Sequence, residues 1–406
     1  MFKPDIKRDI ERFIHTIDGL AWTLSAAMQA LRKSQESAND ELTKRAAEFF
    51  GGPAKADFQG ILHEIYQWRE SLTLLKRLNA GQEVAPRSFL VALISQYDAY
   101  LGNLLKSLFS LRSELLESSE RSLTFSELCK FQSVDNAREY ILEKEIETLL
   151  RKSHAEQFSW LEKRFGINLR TDLPIWPTFI EITERRNLYV HTDAAVSTQY
   201  LEVCRENGVS TAHIKVGDQL EMTDEYFQVA HETIYEVGAK LGQVLWRKLI
   251  PDQVRVADEV LLTTTYFLLT EKRLSLANVL LTFADTTLGK KHADEHLRLM
   301  FLVNHALASY LAGNKSECLE ILDTQDWSAT SDLFKLAELV LREKFNDAAN
   351  LMKKIGSTNR PLKFEYLNWP LFQEFRNSEQ FASAFKELFG EVSPKDLEST
   401  KDDQKS

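Results

Sequence analysis

Cysteine is scarce in this chain. There are three in 406 residues, Cys129, Cys204 and Cys318, far apart and in no metal or disulfide spacing. A disulfide framework is excluded, and a reduced compartment is expected. Glycine (15) and proline (9) are also few, while Leu, Glu, Lys and Ala are plentiful, which favours an all-α protein. Long apolar runs are missing. No window approaches 18 uninterrupted apolar residues, so no membrane span is expected. The opening Met1-Phe2-Lys3-Pro4-Asp5-Ile6-Lys7 lacks the apolar core of a signal peptide, and a cytoplasmic location is expected. Positive charge is not in excess: the formal net charge is −10. A protein that coats nucleic acid non-specifically is usually basic, so any nucleic-acid contact here must be local. The chain has no Gly-rich phosphate loop, no His-Glu-x-x-His run and no Gly-x-Ser-x-Gly elbow. No acidic, histidine or cysteine cluster has ligand spacing, so neither metal nor cofactor is expected.

What the chain does have is helical periodicity. Residues 1–84 read as an N-terminal extension of three helices, Ile6–Ser34, Asn39–Phe50 and Asp57–Leu78. Gly51-Gly52-Pro53 breaks the second from the third, and Ala80-Gly81-Gln82 with Pro86 ends the section. Ser88–Ser118 is the most regular helix. Leu90, Ile94, Tyr97, Leu101, Leu104, Leu108, Leu111 and Leu115 step by four and three, a heptad seam suited to an antiparallel bundle or a subunit interface. Further helices are expected over Val134–Leu150, with Asp135 as N-cap, and over Lys152–Phe165. The segment Arg151–Arg186 is mildly basic and includes His154. Ile214–Leu220 reads as a short extended piece, and Thr223 as the cap of a helix running to Leu249.

The stretch Glu184-Arg185-Arg186-Asn187-Leu188-Tyr189-Val190-His191 carries the chemistry. It lies in a predicted helix from about Ile175 to Glu202, with a break admitted after His191, whose entry is fixed by Pro174 and Pro177. Ile175, Phe179, Ile182 and Tyr189 form an apolar stripe, and Arg186 occupies its missing position. A guanidinium there needs a partner, a ligand or water, because an unpaired charge in a core is very costly. Asn187 and His191, four apart, share a neighbouring face. Asp98, beside Tyr97 on the flank of the seam, is a candidate to orient Arg186 or His191 across the bundle, or an ordinary flank carboxylate.

From 255 to 390 the chain reads as helical-hairpin repeats. Ala306–Leu311 and Cys318–Leu322 are matched thirty residues later by Leu336–Leu341 and Ala348–Met352. Leu341-Arg342-Glu343-Lys344 and Ala349-Asn350-Leu351-Met352 echo Leu269-Thr270-Glu271-Lys272 and Ala277-Asn278-Val279-Leu280. These look tetratricopeptide-like, although the strict signature and an even period are absent. Their exposed surface would suit a protein or peptide partner. Glu391–Ser406 is polar and reads as a disordered tail.

Arg186-Asn187-Leu188-Tyr189-Val190-His191 fits the pattern arginine, polar residue, three residues, histidine. It resembles the motif of the HEPN superfamily, many of whose members are metal-independent endoribonucleases of prokaryotic toxin, phage-defence and CRISPR systems. The order of Tyr97-Asp98-Ala99-Tyr100-Leu101, Ile141–Ile146, Pro174-Ile175-Trp176-Pro177, the motif and Val216-Gly217-Asp218 before Glu225-Tyr226-Phe227 is similar to a bacterial MAE-type HEPN family. The resemblance covers about 85–250. It implies an antiparallel helical bundle, a homodimer and RNA as substrate. His191 would exchange the 2′-hydroxyl proton, Arg186 would hold the phosphoryl oxygens, and Asn187, Asp98 and Glu184 would support them. On a straight helix Arg186 and His191 point roughly 140° apart, so two copies facing each other would converge better on one phosphate. Two other readings stay open: a HEPN-type bundle that binds RNA or protein without cutting, and a scaffold whose main task lies in the repeats.

Overall fold

The computed structural model describes residues 4–51, 58–116, 122–171 and 173–390. The expected tail Glu391–Ser406 and the break at Gly52-Pro53 lie outside the described residues. The chain is all-α, and among the described residues there is no strand. It divides into two compact units, Met1–Leu245 and Trp246–Ser406. No helix among the described residues is long and apolar enough to cross a membrane.

The first unit is built on two very long helices, α1 (Ile6–Gly51) and α2 (Phe58–Leu111), which pack on each other. This corrects three boundaries expected from the sequence. The gap between Ser34 and Asn39 is not there. Neither Gly81 nor Pro86 stops α2, and residue 84 is not a domain boundary because it falls inside that helix. The reason is tertiary. Ala38 is buried, Gly81 lies against Leu31, and Gln35 links to both Asn79 and Gln82, at 2.6 Å each. These contacts hold the two helices together through the stretch where Gly81 and Pro86 act as local breakers. The heptad seam of α2 is fully buried from Leu90 to Leu108, while Leu111, its next position, is exposed where the helix ends.

Shorter helices follow: α3 (Phe125–Leu128), α4 (Val134–Leu150), α5 (His154–Phe165), α6 (Trp176–His191), α7 (Thr198–Glu206) and α8 (Asp224–Leu249), with α4 and α6 packed on α2. The N-cap of α4 is Ser133 rather than Asp135, which instead pairs with Arg138 in the first turn. Ser153 and Glu156 form a capping box that starts α5 at His154. The run expected from Ile175 to Glu202 is two helices. Asp193 (φ 49°) and Ala194 (φ 71°) both take the left-handed conformation and turn the chain between them. The extended piece near 214–220 makes a single bridge, Ala195 to Gln219, instead of a strand.

The N-terminal helix is integral to this bundle. Phe13 stacks on Tyr100 with ring centroids 4.2 Å apart. The Tyr100 hydroxyl donates to the Gly238 carbonyl at 3.0 Å. A Cβ on Gly238 would lie 2.2 Å from the Phe13 ring, so only glycine lets α1 and α8 approach this closely.

The second unit contains three successive hairpins: α9 (Val254–Thr270) with α10 (Leu274–Thr282), α11 (Glu295–Leu311) with α12 (Lys315–Asp323), and α13 (Asp332–Leu341) with α14 (Phe345–Ile355). After α10 the backbone winds as a π-helical turn over Phe283–Leu288. The short α15 (Lys363–Asn368) and α16 (Glu379–Phe389) follow. The first helix of every hairpin ends on the same turn. Arg273, Asn314 and Lys344 donate to Leu268, Ser309 and Leu339, each at 2.9 Å, and Lys272, Gly313 and Glu343 before them hold φ of 60°, 82° and 57°. These turns place the thirty-residue echo in register. The other echo is one residue out, because Lys272 superposes in role on Glu343 and not on Lys344.

Candidate functional site

The motif helix α6 enters the bundle between α2, α5 and α7. Its first turn is led by Trp176 and Pro177, and Phe179, Ile180 and Ile182 are buried. That burial aims the following turn, which carries the motif, at α2. Arg186 reaches Asp98 on α2, with Nη2 to Oδ2 at 3.4 Å. The other carboxylate oxygen of Asp98 meets Nε2 of His154 at 3.0 Å. His154 is buried at the start of α5, edge-on to Phe179 and 5.9 Å from the Tyr97 ring. Asp98 therefore bridges a guanidinium and an imidazole from two different helices.

Glu184 completes the cluster. It is 7% exposed, and burial raises its pKa above the ordinary carboxylate value; a hydrogen bond with Asn187 and the charges of His154 and Arg186 oppose that rise. Burial, and then the neighbouring Asp98 charge, hold the Tyr97 phenol well above its usual value. Two polar atoms here lack partners. The Tyr97 hydroxyl and the Nε of Arg186 are both buried without a hydrogen bond. The 3.4 Å contact is the single hydrogen bond of Arg186 among the described residues, and it is long for a charged pair.

The predicted residues thus fall into two groups. Asp98, Glu184, Arg186 and Asn187 come together. His191 does not join them: it is exposed on the last turn of α6 and makes no hydrogen bond or ion pair among the described residues. Asn187 engages Glu184, not His191. Two residues to either side of His191 in the chain are Asp193, which pairs with the Arg87 guanidinium at 3.2 Å, and Tyr189, whose ring centroid lies 5.5 Å from that guanidinium.

Arg185, the other arginine of the motif, is a structural residue. Its Nε donates to Glu181 at 2.7 Å, its guanidinium lies 3.9 Å from the centroid of the Tyr226 ring, and Glu181 also accepts from Tyr200 (2.7 Å) and Tyr226 (2.5 Å). That network clamps α6, α7 and α8 around the motif. Cys204 lies in the small core of Leu188, Val196 and Tyr200, where burial, with Glu181, pushes its thiol up to about 12. It is an inert core residue.

Sequence reading missed His154 as a member of the site. Its only signal was the Ser153-x-x-Glu156 capping box, which fixes a histidine at the first position of an amphipathic helix. Nothing in the spacing tied it to Asp98. Among the described residues no group of three or more His, Cys, Asp or Glu side chains gathers as a metal site. Comparison with protein-family models, with curated proteins and with solved structures returns no match.

Proposed function

We propose that this protein is a metal-independent endoribonuclease of HEPN type, acting in prokaryotic defence or as a toxin, in the cytoplasm. The observation that supports it best is the state of Arg186. A guanidinium has five donors, and this one has a single long contact, an unpaired buried Nε and a partly exposed surface. Donors are left to take phosphoryl oxygens, with Asp98 fixing the side chain and His154 fixing Asp98. His191 stands free on the same helix to exchange the 2′-hydroxyl proton.

In one chain Arg186 faces inward and His191 faces outward, so a single copy converges poorly on one phosphate. The proposed enzyme is a homodimer in which two motifs line one cleft. The helical hairpins of the second unit serve as a scaffold for a protein or peptide partner.

A second reading draws on the same ion pair. Arg186 can be a structural partner of Asp98, in a bundle that binds RNA or protein without cutting. One experiment separates the two. Purified wild-type protein, Arg186→Ala and His191→Ala are incubated with RNA in EDTA, and sedimentation is followed at assay concentration. Cleavage leaving 2′,3′-cyclic phosphate and 5′-hydroxyl ends is expected from wild type. Each variant should lose at least about 100-fold while remaining folded. Cleavage that survives in either variant, requires Mg²⁺, or comes from a fully active monomer would refute the corresponding part.

A further inference from the structure

The second unit carries a pocket of about 260 Å³ between α9, α11 and α15. Leu262, Tyr266, Met300, Phe364 and Trp369 supply its apolar walls, and Glu365 its one charge. Phe364, at 73% exposed, is a large apolar side chain left in solvent on this lining. Its ring extends the apolar lining of the pocket out to solvent.

A second, independent observation lies in the same wall. Asn304 is only 2% exposed, and its Oδ1 is buried without a hydrogen-bond partner. The indole Nε1 of Trp369, another lining residue, is buried and equally unpaired. A buried acceptor and a buried donor without partners, on two residues that line one pocket, are costly as they stand. They cease to be costly when a ligand brings a complementary donor and acceptor. The peptide group is such a pair, and a primary carboxamide can meet both of its atoms.

From this we infer that the pocket captures one large apolar side chain of a peptide partner, with Asn304 and Trp369 bonding the adjoining main-chain amide. The inference rests on the reading of the second unit as a peptide scaffold and names the subsite. The volume is at or below the lower end for small-molecule sites and suits a single side chain. A nucleobase could also stack on Tyr266 or Trp369 and bond to Asn304. The lining disfavours it, because no lysine or arginine is there to meet a phosphate, and the Glu365 carboxylate repels one.

The chain has five methionines, so a ¹³C-methyl-methionine spectrum of the full-length protein is sparse, and Met300→Leu identifies the pocket signal. The probe is N-acetyl-L-phenylalanine N-methylamide. A saturable shift of the Met300 methyl is expected. The matching methyl ester, which keeps the acetamide N–H but lacks the C-terminal amide donor, should bind up to about tenfold more weakly. Asn304→Ala should bring the amide-to-ester ratio close to one. Its unfolding midpoint should hold or rise, because a buried unpaired carbonyl is removed; a falling midpoint together with an unchanged ratio assigns Asn304 to the core and overturns the proposal. Shifts confined to other residues of the second unit overturn the pocket and leave the scaffold reading standing, whereas no shift anywhere in that unit counts against both. Adenosine shifting the Met300 methyl at lower concentration than the probe does makes the pocket a base site and overturns the peptide assignment.

Discussion

Asp98, Arg186 and His154 in the first unit and Asp258, Arg247 and His292 in the second are the same trio of side chains in two states of closure. Asp258 is fully buried, and all of its bonding is met: Arg247 at 2.6 Å, His292 at 2.8 Å and the Ala293 amide at 2.7 Å. His292 turns its other nitrogen to the Ala284 carbonyl at 3.2 Å. The Asp98 trio has longer contacts, a carboxylate about a quarter exposed and an arginine with an unbonded Nε. Residue type alone therefore does not mark a site. The unmet hydrogen-bonding capacity does, because a closed trio has nothing left to offer a ligand.

Removing the hub of each trio should separate them most clearly. Asp258→Ala leaves a buried arginine uncompensated and is expected to cost about 3–5 kcal/mol. Asp98→Ala breaks a partly solvated ion pair but also leaves the buried His154 ring without its partner, and should cost about 1–3 kcal/mol. Urea unfolding reads both, and equal costs would erase the distinction. Acid sharpens it. Burial alone would raise the Asp258 pKa, but the bonds from His292 and Ala293 and the charge of Arg247 hold it below the ordinary aspartate value. Its contribution is then complete above the unfolded value of about 3.9 and is lost as pH falls through the folded one. Asp258→Asn should remove that part of the acid sensitivity.

A smaller effect is expected at Glu184. Its pKa is raised, first by burial, so the folded state prefers the protonated acid. Its charge destabilises the fold at pH values above the ordinary range near 4.3, and the penalty disappears on acidification. Glu184→Gln should be slightly more stable than wild type at pH 7 and equal to it near pH 4. A variant that is less stable at neutral pH would mean that the carboxylate is held charged, as in the closed trio.

These contrasts mark what the sequence could and could not say. The seam Leu90–Leu108 was legible because its spacing records burial directly, and the thirty-residue echo was legible because two hairpins share one turn. The long continuity of α1 and α2 was not, since Gly81 and Pro86 are local breakers overruled by a partner helix distant in sequence. Four members of the cluster were named from the motif and the seam. His154 was not, because its bond to Asp98 joins residues 56 apart with no periodicity between them. The clamp on Arg185 was hidden for the same reason: Tyr200 and Tyr226 arrive from later helices.

The close contact at Gly238 has a bearing on synthesis. Phe13 emerges from the ribosome early, but the backbone it rests on, and the carbonyl that receives Tyr100, belong to α8, more than half the chain later. Until α8 is made, the buried faces of α1 and α2 have only each other and the intervening helices to shield them. The first unit thus closes from its two ends, last helix onto first, and its nascent form must wait with an apolar strip uncovered while about two hundred residues are added at roughly 5–20 per second.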